Sequence, residues 1–301
     1  MKTMANDVTK KRIITFLTTV FGLLFIPWII GIIIPNLKET THSIIHYLFY
    51  VAPAIAVFVT RKLSKDTKPL NFSIRVFRNK KALFFSALIP GAAVLLGIIL
   101  FFLIFPEDLD FHGRYISQTY GAYGAPQDID LSISSILLMG LIVYLISAVA
   151  IPVWFIALGE DIGWQGYLLP LLCRKTSVKR AVFINGTLWG LAHAPEIYYG
   201  LNYGTDYFGA PYTGMLMMIP VTIVLGIWMS YITLKTKNCM YAAIIHGAAD
   251  IIGDAGVWIS LSTKNSLLGP GASGIIGLSV LLIGAILLFF KMPSNAEGIS
   301  E

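Results

Sequence analysis

Long apolar segments alternate with short polar connections along this chain. Mostly apolar runs cover approximately residues 13–34, 42–60, 82–105, 131–172, 181–200, 211–234, 239–262 and 273–290. Most of these runs have the roughly 20 residues that a helix needs to cross about 30 Å of hydrocarbon. Backbone polar groups in lipid must pair within the chain, and long apolar runs achieve this as helices. The pattern predicts an all-α fold, a polytopic membrane helical bundle of about eight transmembrane helices.

Two of the runs depart from a simple crossing. The run 42–60 is near the lower limit of length, whereas 131–172 is too long for one crossing. We therefore expect an interfacial piece before or after the fourth span. The first run, Ile13–Ile34, is predicted to be a retained span, because no small-residue cleavage site follows it closely.

The composition agrees with a membrane protein, and the charge distribution predicts its orientation. Of the 301 residues, 56% are hydrophobic and 13% are charged, whereas soluble domains have about 25% charged residues. With both termini in the cytoplasm, every Lys and Arg lies inside except Lys38, Arg114 and Lys264. This predicts a multi-pass protein of the cell membrane. The uneven distribution of the net charge of +6 argues against nucleic acid as a partner.

The connection between the second and third runs is strongly basic. It carries eight Lys and Arg residues between Arg61 and Lys81. We interpret it as a topology determinant that contacts anionic lipid, and the alternative is a specific acidic partner. The two cysteines, Cys173 and Cys239, lack CxxC spacing and are predicted to be reduced packing residues.

Five ionisable side chains interrupt three of the apolar runs. They are Glu160, Asp161, His193, His246 and Asp250. Each costs several kcal/mol in hydrocarbon, by estimates that differ widely, unless it faces a polar partner or a wet cavity. The sequence therefore predicts one polar site that the fourth, fifth and seventh runs build together.

The first group of polar residues is the pair Glu160-Asp161. Adjacent helix positions differ by about 100°, so the two side chains point in different directions. Gln165 lies four residues after Asp161 and is expected to hydrogen-bond it across one turn. The alternative is a broken helix end, favoured by Gly163 and Gly166, in which the acids cap a following helix.

The second group forms a stripe, because Asn185, Trp189 and His193 recur every four residues. Glycine and alanine between them permit a close helix approach. The stripe favours a functional His193 over a histidine that only packs.

In the third group, His246, Asp250 and Asp254 share one helix face. The alternative is a His–carboxylate pair that only packs helices. Counted from the nearest cytoplasmic basic residue, His193, His246, Asp250 and Glu160 lie roughly 13–21 Å deep at about 1.5 Å per residue. This common depth supports one shared site.

A glutamate, two histidines and an aspartate in a partly dry cavity suit hydrolysis of an amide by activated water. A buried carboxylate or a neutral imidazole can take a proton from water, and further donors can stabilise an oxyanion. No serine stands in a nucleophile-elbow string, and no cysteine lies near a histidine in sequence.

These three groups, in this order, resemble the motifs of the CPBP family (CAAX proteases and bacteriocin-processing enzymes, also called Abi). The family has a Glu pair followed by Arg, then Phe-x-x-x-His, then His-x-x-x-Asn or Asp. The matching positions are Glu160 with Asp161 and Gln165, Trp189 with His193, and His246 with Asp250. Asp161, Gln165 and Trp189 depart from the family pattern. The resemblance covers about residues 130–260.

The resemblance implies roles for these residues. Glu160 and His193 would activate water, while His246 and Asp250 would support the oxyanion or a metal. Asp161, Gln165 and Trp189 would support them. A divalent metal such as zinc, held by His193 and His246, is also implied, but the sequence lacks the HExxH pair, so metal use stays open.

The resemblance also suggests a division of the chain. Residues 1–129 form an N-terminal transmembrane region of three spans with the basic cytoplasmic loop. Residues 130–262 form a CPBP/Abi-like intramembrane protease core, and 263–301 the last span with a short cytoplasmic tail.

We therefore expect an intramembrane endopeptidase that cuts peptides, prenyl-type substrates or membrane-anchored proteins from the cytoplasmic side. Two alternatives remain. The missing motif Arg favours a catalytically weak or inactive scaffold that regulates a membrane partner. Buried acids and histidines also suit a proton- or ion-coupled transporter, although no inverted repeat is evident. The sequence does not indicate an oligomeric state.

Overall fold

The computed structural model describes residues 2–115, 117, 130–261 and 266–293. Lys264, one of the basic residues predicted to lie outside, and most of the tail are outside the described residues. The described elements are helical apart from one isolated antiparallel bridge between Leu109 and Ser260. The longer helices are α1 Lys2–Ile33, α2 Lys38–Ser64, α3 Lys80–Ile104, α4 Ile133–Ser147, α5 Ile151–Gly163, α6 Leu169–Cys173, α7 Val178–Ala192, α8 Ala194–Tyr198, α9 Tyr212–Thr236, α10 Met240–Trp258 and α11 Ile275–Lys291.

The protein is a polytopic helical membrane protein. Within the described residues, four stretches are long and apolar enough to cross a bilayer: Asp7–Ile33, Pro35–Ser64, Lys80–Ile104 and Tyr212–Thr236. A fifth is counted if the bent pair α4–α5 is one span. The prediction of an all-α membrane bundle is confirmed, but length and composition alone support fewer spans than eight. The polar residues of α10 and the shortness of α7 and α11 explain the difference.

The long run 131–172 consists of two helical stretches, Ile133–Ser147 and Ile151–Cys173, that meet at 61°. The break covers residues 148–150, and Pro152 stands in the first turn of α5, where its missing N–H is not needed. The Trp154 indole N–H donates to the Ser147 carbonyl across the break, at 3.4 Å. A π-helical turn, Trp164–Leu168, then separates α5 from α6.

Glycines allow α5 to pack directly against the backbone of α2. A Cβ atom on Gly159 would collide with the Tyr50 carbonyl oxygen, and one on Gly163 would collide with Pro53. Because of this close approach, the segment that carries Glu160 and Asp161 lies in the centre of the bundle. In the same way, Gly186 of α7 lies against the backbone of α9.

Helix α10 is the most enclosed element. Every residue from Met240 to Ala249 is buried, because α3, α4, α5 and α9 all pack against it. His246 is therefore inside the bundle. Both cysteines, Cys173 and Cys239, are buried free thiols.

Contacts between connections define two faces of the bundle. On the terminal face, Arg12 near the N-terminus pairs with Asp66 at 3.1 Å, and the Cys239 N–H donates to the Asn71 carbonyl. On the opposite face, the Asp110 N–H donates to the Ile259 carbonyl, and the connections after α3 and α10 meet. These two names are used below for the two sides of the molecule.

Candidate active site

Glu160 and Trp189 join α5 to α7. The Trp189 indole N–H donates to Glu160 Oε2 at 3.0 Å, and both side chains are almost fully buried. A buried carboxylate needs such a donor, because an unpaired one costs the full desolvation penalty. Trp189 thereby fixes the position of the Glu160 side chain.

His193 follows the last residue of α7 and turns back along the helix. Its Nδ1 atom lies 2.9 Å from the Trp189 carbonyl oxygen. Because a carbonyl only accepts, Nδ1 carries the hydrogen and Nε2 of a neutral ring keeps its lone pair. The Phe49 ring of α2 packs edge-on against the imidazole, with centroids 4.6 Å apart.

His246 lies between two carboxylates. Its Nδ1 atom is 3.3 Å from Asp161 Oδ2, and its Nε2 atom is 3.5 Å from Asp250 Oδ2. The Trp189 ring stands edge-on to the His246 ring at a centroid distance of 5.0 Å. Trp189 consequently contacts Glu160, His193 and His246, so these three groups surround one indole.

The pair Glu160-Asp161 does not cap a helix. The two side chains diverge, Glu160 to Trp189 of α7 and Asp161 to His246 of α10. The helix continues through Trp164 into the π-helical turn. The alternative of a capped helix break at this pair is therefore wrong.

The expected hydrogen bond from Gln165 to Asp161 is also wrong. Gln165 Oε1 instead accepts from Ser230 Oγ at 3.0 Å. Within the described residues, Gln165 Nε2 and Asp161 Oδ1 have no hydrogen-bond partner. The π-helical turn begins between the two positions and shifts Gln165 around the axis, so four residues no longer make one regular turn.

A small cavity adjoins the two imidazoles. It has a volume of about 100 Å³, and Trp189, His193, His246, Asp250 and Asp254 are in its wall. A water molecule needs about 10–15 Å³ measured in this way, so several fit. Asp250 is one of the lining residues, and its side chain is 56% exposed. The cavity thus offers room and polar partners for water beside His193.

A second cavity of about 670 Å³ continues from the first toward the opposite face, and both include Asp254 and Ser273 in their walls. The Tyr203 hydroxyl donates to the Ser273 carbonyl at 2.9 Å and ties two connections together there. Burial raises the pKa of Tyr203, so its phenol stays a donor. This placement does not fit the expected access from the cytoplasmic side if the termini are cytoplasmic.

Asn185, predicted as part of the stripe with Trp189 and His193, is buried, and neither of its carboxamide atoms has a partner in the described part of the chain. Asn185 does not line the small cavity, whereas Asn202, not singled out from the sequence, does. Phe49 was also missed. The available signal was the recurrence of aromatic and histidine residues along α2 at His42, His46 and Tyr50.

No group of three or more His, Cys, Asp or Glu side chains among the described residues is placed to hold an ion. The Nδ1 and Nε2 atoms of His246 lie 3.3 and 3.5 Å from carboxylate oxygens of Asp161 and Asp250. A metal held by His193 and His246 stays a prediction, and no chemical step below uses a metal.

Comparison with known proteins agrees with the motifs. Residues 140–252 match the family model described as type II CAAX prenyl endopeptidase Rce1-like. Over 146 residues, the chain is 24% identical to CAAX prenyl protease 2 of Methanococcus maripaludis, covering 47% of this chain and 53% of the relative. The chain thus spans about half the length of the curated relative that it matches.

The matched segment contains every residue predicted for the site, from Glu160 to Asp250. The resemblance inferred from the three motifs is therefore confirmed. Over residues 140–252, the chain carries a domain of the Rce1-like type II CAAX prenyl endopeptidase family.

Proposed function

We propose that the protein is an intramembrane endopeptidase that hydrolyses peptide bonds with water activated by Glu160 and His193. The observation that carries this proposal is the convergence of Glu160, His193 and His246 on Trp189 beside a cavity with room for water. Membership of a peptidase family supports the same reaction class.

The hydrogen bonds support these proposed roles. His193 lines the cavity with Nδ1 held by the Trp189 carbonyl, so Nε2 is the acceptor available to water. The oxygen of that water attacks the peptide carbonyl carbon. Its proton passes to His193, which lines the cavity, or through a further water to Glu160, which does not. The same group then gives a proton to the amide nitrogen as the bond between the carbonyl carbon and that nitrogen breaks, and the amine leaves.

His246 is assigned to the oxyanion. Asp161 holds the ring at Nδ1, while Nε2 is turned toward the cavity beside the exposed Asp250. His246 acts here as an imidazolium, which carries a hydrogen on each ring nitrogen. Its Nδ1–H is held by Asp161, and its Nε2–H donates to the oxygen that becomes negative in the tetrahedral intermediate. Asp250, 3.5 Å from Nε2, favours this charged form of the ring.

Eight segments cross the membrane in this proposal, with both termini in the cytoplasm and the short helices α7, α10 and α11 each part of a crossing. The substrate is a peptide or a segment of a membrane-anchored protein. It reaches the site through the larger cavity from the opposite face. Prenyl-type substrates are one class to be tested, since the similar archaeal protein is named for them.

The test compares protein termini in membranes from cells that contain the wild type, Glu160→Gln or His193→Gln. Glu160→Gln keeps the size of the side chain and an acceptor for Trp189. We expect termini that are present with the wild type and absent with either variant, at equal protein levels. Glu39→Gln on the exposed first turn of α2 is the matched control and should behave as the wild type.

Identical termini in all four samples, together with an intact cellular phenotype, would contradict hydrolysis. That result would favour the inactive scaffold. One structural observation supports the scaffold: Gln165 Nε2 and Asp161 Oδ1 have no hydrogen-bond partner among the described residues, at the place where the family pattern has a cation.

A further inference from the structure

The connection between α2 and α3 is fixed to the turn between α9 and α10 on the terminal face. The Cys239 N–H donates to the Asn71 carbonyl at 2.7 Å, and the Tyr241 hydroxyl donates to the Val76 carbonyl at 2.8 Å. The Asn238 carboxamide accepts from the Ser73 N–H and donates to the Ser73 carbonyl, at 2.8 and 2.9 Å. Four hydrogen bonds therefore hold this part of the connection in one conformation.

The fixed connection and the turn enclose a basic pocket. Its volume is about 340 Å³, and its charged residues are Arg75, Arg78 and Lys237. The remaining wall consists of neutral hydrogen-bonding residues, with no acidic side chain. Arg75 and Arg78 are exposed, and within the described ranges neither forms an ion pair with a carboxylate. Two guanidinium groups over neutral donors match a phosphate group.

Apolar residues beside the pocket indicate its place in the membrane. Ile74 and Phe77 are each 66% exposed and alternate with the two arginines. The connection emerges from the ends of two spanning helices, α2 and α3. Side chains of this alternating kind suit the boundary between headgroups and acyl chains, where apolar tips enter lipid and basic groups meet phosphate.

We propose that this basic pocket binds the phosphate-bearing headgroup of an anionic phospholipid. A free phosphate ion would present the same oxygen atoms to the pocket as a lipid phosphate group. The exposed Ile74 and Phe77 favour a lipid as the source of the phosphate. The site is independent of hydrolysis. Its occupant bridges the α2–α3 connection and the start of α10, so binding stabilises the folded bundle.

The experiment uses the purified full chain in nanodiscs of phosphatidylcholine that contain increasing phosphatidylglycerol with the same acyl chains. Retained lipid is counted by native mass spectrometry, and the Tm is measured in parallel. We expect the wild type to retain phosphatidylglycerol selectively and its Tm to rise. The double variant Arg75→Gln/Arg78→Gln should reduce retention at least tenfold and abolish the Tm rise.

The matched control is Lys65→Gln/Lys68→Gln, which removes the same charge from exposed positions of the same connection outside the pocket. Equal loss in both double variants would show a diffuse charge effect and overturn the site. If the wild type retained phosphatidylcholine and phosphatidylglycerol equally, that result alone would overturn the proposed site. Full displacement of phosphatidylglycerol by millimolar inorganic phosphate would assign the pocket to a soluble phosphate instead.

Discussion

The two carboxylates that flank His246 differ in their access to solvent. Asp161 is completely buried, whereas Asp250 lines the small cavity and its side chain is 56% exposed. Removal of a charged partner from a dry site leaves the remaining polar group unsatisfied, but water compensates at a wet site. The His246 ring therefore has a fully buried carboxylate on one side and an exposed carboxylate on the other.

This difference predicts opposite profiles for two substitutions of equal size. Asp161→Asn should lower the free energy of unfolding by about 1.5–3 kcal/mol, because a neutral amide oxygen replaces the carboxylate as the acceptor for His246 and the buried NH2 group has no acceptor among the described residues. Asp250→Asn should leave stability nearly unchanged and reduce cleavage, since its partner His246 faces the substrate. Thermal unfolding in detergent and cleavage rates on the same preparations measure both effects. Equal losses of stability would contradict the assigned geometry.

The sequence predicted some side-chain directions and not others. The divergence of Glu160 and Asp161 follows from helix geometry alone, so it could be predicted. The direction of Gln165 could not, because a π-helical turn leaves no periodic signature in a uniformly apolar stretch. Phe49 was missed because lipid and protein interior are equally apolar, so hydrophobicity does not mark which face of α2 is inside.

At the scale of elements, the site depends on how closely α5 approaches α2. The approach is possible only because Gly159 faces the Tyr50 carbonyl without a side chain. Glu160 is the next residue, so its distance from α7 is set by this contact. The packing of α5 against α2 thus controls the Glu160–Trp189 hydrogen bond, which joins the other side of α5 to α7.

Gly159→Ala should therefore cost about 1–3 kcal/mol of stability through overpacking and displace Glu160 from Trp189. We expect reduced cleavage and a lower Tm. Gly140→Ala on α4 is the matched control, because its Cβ would meet only Leu95 Cδ1 at 3.7 Å, an ordinary contact. Wild-type activity in Gly159→Ala would show that the two helices separate without moving Glu160.

The positions of the long helices were predictable, but their breaks were not. The predicted runs 13–34, 42–60 and 82–105 fall within or close to α1, α2 and α3, since about 20 apolar residues fix a spanning helix. The length of the run 131–172 predicted an interfacial piece before or after the fourth span, and not a bend within the run. The position of the bend at residues 148–150 depends on packing, because the Trp154 indole N–H donates to the Ser147 carbonyl across it.

At the scale of the whole molecule, charge and cavity lie on different faces. The basic connection with Arg75 and Arg78 is on the terminal face, whereas the larger cavity lies among the connections that follow α3, α8 and α10. In the proposed topology, with both termini in the cytoplasm, the cavity opens away from the cytoplasm. This topology predicts that substrates reach the site from the non-cytoplasmic side, opposite to the sequence-based expectation.

Cysteine accessibility tests this orientation without a known substrate. Ser273→Cys places a thiol in the wall shared by both cavities, and Lys68→Cys places one on the exposed basic connection. A membrane-impermeant maleimide added to intact cells should label Ser273→Cys and not Lys68→Cys, which should react only after permeabilisation. The wild type is the background control, because Cys173 and Cys239 are buried. The reverse labelling pattern would restore cytoplasmic access to the site, because the cavity and the basic connection lie on opposite faces of one bundle.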